Sequence, residues 1–177
     1  MSQSKSPHHP LVQLARAAIE AFVQDKRALD PREAPAPIEG EPAGVFVTLH
    51  TASTHELRGC IGTIGPTEPT LTQEVINNAI SAATRDWRFH PVAASELNNL
   101  EIDVSVLHPP EPIDSTAQLD PKHYGVIVQR SGRRGLLLPD IDGVDDVETQ
   151  VSIARQKAGI GPHEPVKLYR FRVEKYT

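Results

Sequence analysis

The stretch Leu57-Arg58-Gly59-Cys60-Ile61-Gly62 contains the only cysteine of the chain, with a glycine on either side of it and an arginine two positions before it. The preceding segment, Val45 to His50, alternates apolar and polar residues, as a half-buried strand does. The polar run Thr51 to Glu56 between them is long enough for a loop. We therefore predict a β-hairpin whose second strand, Leu57 to Ile64, carries the cysteine.

Apolar stripes at helical spacing predict one amphipathic helix on each side of this hairpin. The first covers residues 11–28, with Pro10 placed to start it, and the second runs from Pro69 to about Arg85. The segment between the first helix and the hairpin is rich in proline and cannot form a helix interior or a central strand. We expect it to be an extended connector on the surface.

The second half of the chain predicts more strands and one helix. A strand is expected from Leu100 to Leu107, and the three prolines within residues 108–112 mark a lobe boundary. Beyond them we expect a hairpin (Tyr124–Gln129 with Gly135–Leu138), a helix (Val147–Ala158) and a final strand (Lys167–Val173). Because strands and helices do not alternate regularly, a doubly wound parallel sheet is disfavoured.

The predicted fold is therefore α+β, with antiparallel sheets flanked by helices in a single domain that has a large and a small lobe. We assign residues 10–107 plus 145–177 to the large lobe and residues 108–144 to the small lobe. Residues 1–9 are expected to form a flexible tail.

Composition limits the classes of function. The 177 residues carry a formal net charge of −5 and only 5% aromatic residues, which disfavours nucleic-acid binding. A single cysteine forms no intramolecular disulfide. The N-terminus lacks the apolar core of a signal peptide, and no apolar run reaches the ~20 residues of a membrane span. We expect a cytoplasmic protein with no membrane association.

Two interpretations of the cysteine strand remain open. Alternation along the strand puts Arg58, Cys60 and Gly62 on one face and Gly59 on the other. An arginine close to a thiol favours the nucleophilic thiolate, and glycines in a strand often mark the close approach of a ligand or another backbone. The alternative is a buried structural cysteine in a tightly packed strand, since free cysteine is among the most buried residue types.

The segment Asp86-Trp87-Arg88-Phe89-His90-Pro91 is the second candidate. Pro91 disfavours a helical residue before it, so the segment is irregular. It either presents Asp86, Arg88 or His90 to a binding site, or forms a structural turn in which Trp87 or Phe89 anchors the core. The spacing of His, Cys, Asp and Glu residues matches no metal-binding motif, and we predict no metal site.

The motif Leu57–Gly62 resembles the hallmark motif of the AMMECR-type domain family, whose prokaryotic members are known as AmmeMemoRadiSam system protein A. The resemblance covers residues 10–175 and continues in further blocks, in the same order: Ala82-Ala83 with Asp86, Arg88-Phe89 and Pro91; Glu96-Leu97, Val104–Leu107 and Pro110–Pro112; Gly125-Val126 and Gly135–Pro139; and Lys157-Ala158-Gly159. It implies an α+β fold of two lobes with a cleft near the Cys60 strand. It also implies a functional link with Memo-type proteins and radical SAM enzymes, but it names no reaction or cofactor.

Three functions follow as hypotheses. In the first, the protein binds a small anionic or modified substrate in a cleft, where Arg58 holds the anion and Cys60 is the nucleophile or acceptor. Asp86 and Arg88 orient the substrate. The remaining binding residues are Gly59, Gly62 and His90. In the second, the same cleft is a non-catalytic module that docks a peptide or protein segment. The third, nucleic-acid binding, is disfavoured by the acidic balance and the few aromatic residues.

Overall fold

A computed structural model describes residues 8–177, which divide into two compact units. The first unit runs to Val106 and includes Lys175–Thr177, and the second is Leu107–Glu174. The helices are α1 (Pro10–Asp25), α2 (Leu71–Thr84) and α3 (Val147–Ala158). The strands are β1 (Gly44–Thr51), β2 (Leu57–Gly62), β3 (Leu100–Leu107), β4 (Glu111–Ile113), β5 (Gly125–Arg130), β6 (Arg133–Leu137), β7 (Lys167–Phe171) and β8 (Val173–Tyr176).

The first unit is built on a four-stranded sheet in the order β2-β1-β3-β8. β1 and β2 form the predicted antiparallel hairpin, and the residues of β1 that face α2 are fully buried: Val45, Val47 and Leu49. Helices α1 and α2 pack against each other through their apolar stripes. The core therefore lies on one face of the sheet, and the other face of β1 and β2 is left to half-buried, mostly polar side chains.

Side-chain caps fix both helix starts. His9 Nδ1 accepts the Leu11 N–H at 3.2 Å, directly before Pro10 at the first position of α1. Thr70 Oγ1 accepts the Gln73 N–H at 3.1 Å at the start of α2.

Helix α2 also carries a buried carboxylate that fixes the chain after β2. Glu74 is 1% exposed and accepts four hydrogen bonds: from the hydroxyls of Thr63 and Thr67, and from the backbone N–H groups of Thr67 and Glu68. Burial by itself would raise the pKa of Glu74, but these donors together lower it, because they stabilise the charged form. The carboxylate is thus satisfied by neutral donors and holds the segment between β2 and α2.

The second unit is an antiparallel sheet in the order β4-β7-β5-β6, with α3 packed on β5 and β6. α3 begins after Asp146, whose side chain accepts the Thr149 N–H, and ends at Gly159 in the left-handed conformation. Gly135 of β6 lies so close to the Ala154 carbonyl of α3 that a methyl group there would overlap it. The α+β fold with antiparallel sheets and helices is confirmed.

Several predicted boundaries need correction. Residues 145–174 belong to the second unit and not with residues 10–107, because α3 packs on β5 and β6 and because β7 pairs with β5. The proline-rich boundary contains an unpredicted strand, β4, which pairs with β7 at the edge of its sheet. The predicted final strand is interrupted at Arg172 and continues as β8.

The predicted flexible tail, residues 1–9, includes one residue with a structural role. Residues 1–7 lie outside the described part of the chain, but His9 caps α1 and stacks on Tyr176, with ring centroids 3.9 Å apart. Within residues 8–177, no helix combines the length and the apolar character that a membrane crossing requires.

Candidate functional site

Cys60 lies on an edge strand, and side chains rather than a further strand satisfy its outer backbone groups. The register places Cys60 opposite Thr48, and the Cys60 Sγ lies 3.4 Å from Thr48 Oγ1. The Cys60 N–H points away from β1 and donates to Asp86 Oδ2 at 3.0 Å. The Cys60 carbonyl accepts a long hydrogen bond of 3.5 Å from Arg88 Nη2. Asp86 and Arg88 therefore take the place of a neighbouring strand at this residue.

The buried carboxylate of Asp86 organises the turn that follows α2. Besides the Cys60 N–H, it accepts the Arg88 backbone N–H at 3.2 Å and two guanidinium bonds, from Nε at 3.0 Å and Nη2 at 2.7 Å. The guanidinium of Arg88 is the main reason that the pKa of Asp86 lies far below its ordinary value, although burial of the carboxyl opposes the shift. The same pair raises the pKa of Arg88.

Arg58 is held in the same way by a second carboxylate. Its Nε and Nη2 donate to the two oxygens of Glu96 at 2.9 and 3.1 Å, and Glu96 also accepts the Ala93 N–H at 2.8 Å. The hydrogen bond from Arg58 lowers the pKa of Glu96, against the effect of burial. The side chain of Arg58 is only 15% exposed, so this guanidinium is fixed and does not reach toward Cys60 as an independent cation.

The two arginines flank one aromatic ring. The guanidinium carbons of Arg58 and Arg88 lie 5.9 and 5.4 Å from the centroid of Phe89. With Trp87 and His90, these three residues line a surface depression of about 370 Å³. Among residues 8–177, the Nη1 atom of either arginine has no hydrogen-bond partner, so each guanidinium keeps one unpaired edge.

The two glycines that were predicted as binding residues both have a packing role. Gly59 faces α2, and a methyl group there would overlap the carbonyl oxygen of Ala82. Gly62 lies against the ring of Phe46, which occupies the space a side chain would need. Both residues therefore permit close approach by the protein itself on the side where a side chain would point.

The other predicted site residues do lie together. Arg58, Arg88 and His90 border the depression, while Asp86 is buried beneath it and Cys60 lies beside it on β2. The structural-turn interpretation offered Trp87 or Phe89 as the core anchor, and Trp87 is not that anchor, since it is 90% exposed.

Three residues of this region were not predicted as part of a site: Thr48, Phe89 and Glu96. Thr48 contacts the thiol only because a bulge in the hairpin, between Leu49 and His50, sets the register opposite Cys60. Glu96 is 38 residues from Arg58 along the chain, and no local pattern connects them.

The thiol has limited chemical assistance. No His, Asp or Glu side chain among residues 8–177 makes a hydrogen bond to the Cys60 sulfur, whose one partner is Thr48. His50 is two positions from Thr48 along β1 and on the same face, but it pairs with Asp103, at 3.8 Å between Nδ1 and Oδ2. The described residues contain no group of three or more His, Cys, Asp or Glu side chains that could hold a metal ion.

Comparisons with known proteins agree with this architecture. A protein of Thermotoga maritima is 50% identical over 170 residues, covering 95% of this chain and 97% of its own length. Protein CA_C1420 of Clostridium acetobutylicum is 39% identical over 97% of this chain, which spans only 36% of that longer relative. The crystal structure of the uncharacterised protein PH0010 from Pyrococcus horikoshii has 36% sequence identity and a TM-score of 0.83, covering 93% of this chain and 88% of its own.

The family comparison covers both units. The AMMECR1 family model matches residues 12–176, which include all three helices but for the first two residues of α1, and all eight strands. Because this match extends over nearly the whole chain, the protein belongs to the AMMECR1 family.

Proposed function

We propose that the protein binds an anionic group of a small substrate at the depression lined by Arg58, Arg88 and Phe89, beside the thiol of Cys60. One observation carries the proposal: two guanidinium groups are held by carboxylates through Nε and Nη2, and each keeps an unpaired Nη1 beside the same aromatic ring. Guanidinium edges fixed in this way bind carboxylate or phosphate without first losing side-chain entropy.

In this proposal Cys60 is the nucleophile or acceptor for the bound substrate. The strand positions Arg58 and Cys60 on one face, and Arg88 touches the Cys60 carbonyl, so an anion held by the arginines lies near the thiol. The thiol proton would pass to solvent, and the thiolate would form a bond to an electrophilic atom of the substrate while the bond from that atom to a leaving group breaks and the leaving group departs with the electron pair. His90 borders the same depression and adds an imidazole that can make a hydrogen bond to the substrate.

The biological setting belongs to the proposal as well. The family resemblance implies a link with Memo-type proteins and radical SAM enzymes, and the chain composition favours the cytoplasm. A second candidate, a non-catalytic docking module that uses the same surface, is favoured by one observation, the 90% exposure of Trp87.

Alkylation kinetics test the anion site and the thiol together, because Cys60 is the only cysteine. Iodoacetate and iodoacetamide both form an S–C bond and release iodide, but only iodoacetate is anionic. We compare the rate with iodoacetate to the rate with iodoacetamide, and we expect this ratio to be about three- to tenfold higher for the protein than for glutathione, or ~0.7–1.4 kcal/mol. Inorganic phosphate should slow the iodoacetate reaction alone.

Two arginine variants and a matched control sharpen the result. Arg58→Gln and Arg88→Gln should reduce the preference toward that of glutathione, with circular dichroism confirming that each variant folds. Arg134→Gln removes an arginine of the second unit that makes no ion pair within residues 8–177, and it should change nothing. A wild-type ratio equal to that of glutathione refutes the anion site. An apparent thiol pKa at or above about 8.5 in the iodoacetamide reaction refutes the nucleophile.

A further inference from the structure

Trp87 is exposed to a degree that its packing does not explain. It is 90% exposed, and the only other large hydrophobic side chain exposed within residues 8–177 is Leu57, at 40%. Leu57 immediately precedes Arg58, and Trp87 lines the same depression as Arg58. Leu57 does not itself line the depression, so Trp87 is its one exposed large apolar side chain, and an exposed indole beside arginines is typical of an interaction site.

The backbone that presents Trp87 is fixed. The Phe89 N–H donates to the Asp86 carbonyl at 3.0 Å, which closes a turn with Trp87 and Arg88 at its two central positions. The Asp86 carboxylate also holds Arg88, the residue after Trp87, by accepting hydrogen bonds from its backbone N–H and its guanidinium. The backbone at Trp87 is therefore preorganised in an exposed position, and only the rotamer of the indole is left to be ordered when a partner covers it.

The charge around this turn is positive, although the chain as a whole is at −5. Arg85 makes no ion pair with any described residue, and its guanidinium donates only to Ser81 Oγ, at 3.4 Å. Arg58 and Arg88 are each matched by one carboxylate, so the third arginine, Arg85, leaves one positive charge in excess.

We propose that Trp87 anchors a docking surface for an acidic, partly apolar segment of a partner protein. An apolar side chain of the partner would pack on Trp87 and Phe89, while its carboxylates would meet Arg85 and the unpaired Nη1 edges of Arg58 and Arg88. A single excess charge and one exposed indole suit a short peptide segment better than a polyanion, which releases counterions through many cationic contacts. The proposal deepens the second candidate function and does not require Cys60 to react.

Trp87 also reports on its own binding, because it is the only tryptophan. The full chain would be titrated with a short capped peptide of alternating glutamate and leucine, while its intrinsic fluorescence is recorded. We expect a saturable blue shift that weakens with added salt. Arg85→Gln should weaken binding about three- to tenfold, whereas Arg134→Gln should leave it unchanged. In calorimetry, which needs no reporter, Trp87→Ala should weaken binding at least tenfold; its side chain is exposed, so the variant should fold.

Each remaining outcome decides the matter. Absence of saturable binding by the glutamate–leucine peptide overturns the proposal, as does equal binding of a lysine–leucine peptide. Tighter binding of a single-stranded oligonucleotide would overturn it in favour of nucleic acid. Arg85 makes no contact with Arg58, Arg88 or Cys60, so Arg85→Gln should leave the iodoacetate preference intact. If the peptide binds but the wild-type protein shows no preference for iodoacetate, the anion and thiol function alone is refuted. If the protein prefers iodoacetate but does not bind the peptide, the docking surface alone is refuted.

Discussion

Replacing Asp86 with asparagine tests whether this carboxylate stands in for a missing strand beside Cys60. The substitution keeps the shape of the side chain but removes the charge and turns one acceptor oxygen into a donor. Asp86 Oδ2 accepts from the Cys60 N–H and Arg88 Nη2, and Oδ1 accepts from the Arg88 N–H and Nε. Whichever way the amide is oriented, two of these four donors then face an NH₂ group.

The expected loss follows from burial. Arg88 is 41% exposed and can return to water, so its lost hydrogen bonds cost little. The Cys60 N–H faces a carboxyl group that is only 2% exposed, and in either orientation of the amide it loses a charge-assisted hydrogen bond worth about 1.5–3 kcal/mol, because its acceptor becomes an NH₂ group or an uncharged amide oxygen. We expect Asp86→Asn to lower the free energy of unfolding by about 2–3 kcal/mol, and the melting temperature by about 4–12 °C in a chain of this length.

The chain contains a matched control with the same local geometry. Asp30 accepts the Arg32 N–H at 2.9 Å, Nε at 2.9 Å and Nη2 at 2.6 Å, with the same two-residue spacing as in the Asp86–Arg88 pair. This second pair is exposed and holds no strand. Asp30→Asn should therefore change stability far less than Asp86→Asn, because water replaces the lost bonds.

Two assays separate a local effect from a global one. Urea unfolding followed by circular dichroism gives the stability difference, and amide hydrogen exchange of Cys60 reports the bond itself. The Cys60 amide should exchange much faster in Asp86→Asn but at the wild-type rate in Asp30→Asn. Equal exchange of the Cys60 amide in all three proteins, or equal stability of the two variants, would refute the reasoning.

The pH dependence has a defined sign. The pKa of Asp86 is lowered in the folded protein, so its contribution to stability is complete above the unfolded value of about 3.9 and is lost as the pH falls through the lower folded value. The stability difference between wild type and Asp86→Asn should therefore be constant near neutral pH and should narrow as the pH falls below about 4. A difference that instead widened on acidification would show that another group is responsible.

Two further substitutions test the surroundings of the motif. Gly59→Ala should lower the free energy of unfolding by about 2–4 kcal/mol, because the new methyl group would overlap the Ala82 carbonyl oxygen of α2 and neither backbone can move freely. The control is Gly65→Ala, whose methyl group would meet nothing within 4 Å and which should leave the free energy of unfolding nearly unchanged in the same urea titration. Glu74→Gln should lower the free energy of unfolding by about 2–4 kcal/mol at pH 7, because four donors face this buried carboxylate and an amide can accept hydrogen bonds from only some of them. Unchanged thermal stability would contradict that account.

Much of the fold was predictable because it rests on local periodicity. The hairpin, the three helices and most of the strands follow from apolar residues at strand or helix spacing, and the caps at Asp146 and Gly159 follow from the chemistry of helix ends. The prediction was wrong where pairing between distant segments decided the outcome. β4 is only three residues long and contains Pro112, and it exists because β7 is available to pair with it.

The same distinction between local patterns and contacts of distant segments applies to the candidate site. The shared strand face of Arg58 and Cys60 and the irregular turn with Asp86 and Arg88 follow from the sequence, because alternation and proline restrictions act over a few residues. Which charges meet depends on the folded chain: Glu96 holds Arg58, Asp86 holds both the Cys60 N–H and Arg88, and the Ala82 carbonyl explains the glycine at position 59. Apart from the local Asp86–Arg88 pair, those contacts join residues from 23 to 38 positions apart. Their energies depend on burial, which is a property of the packed chain that no short stretch of sequence contains.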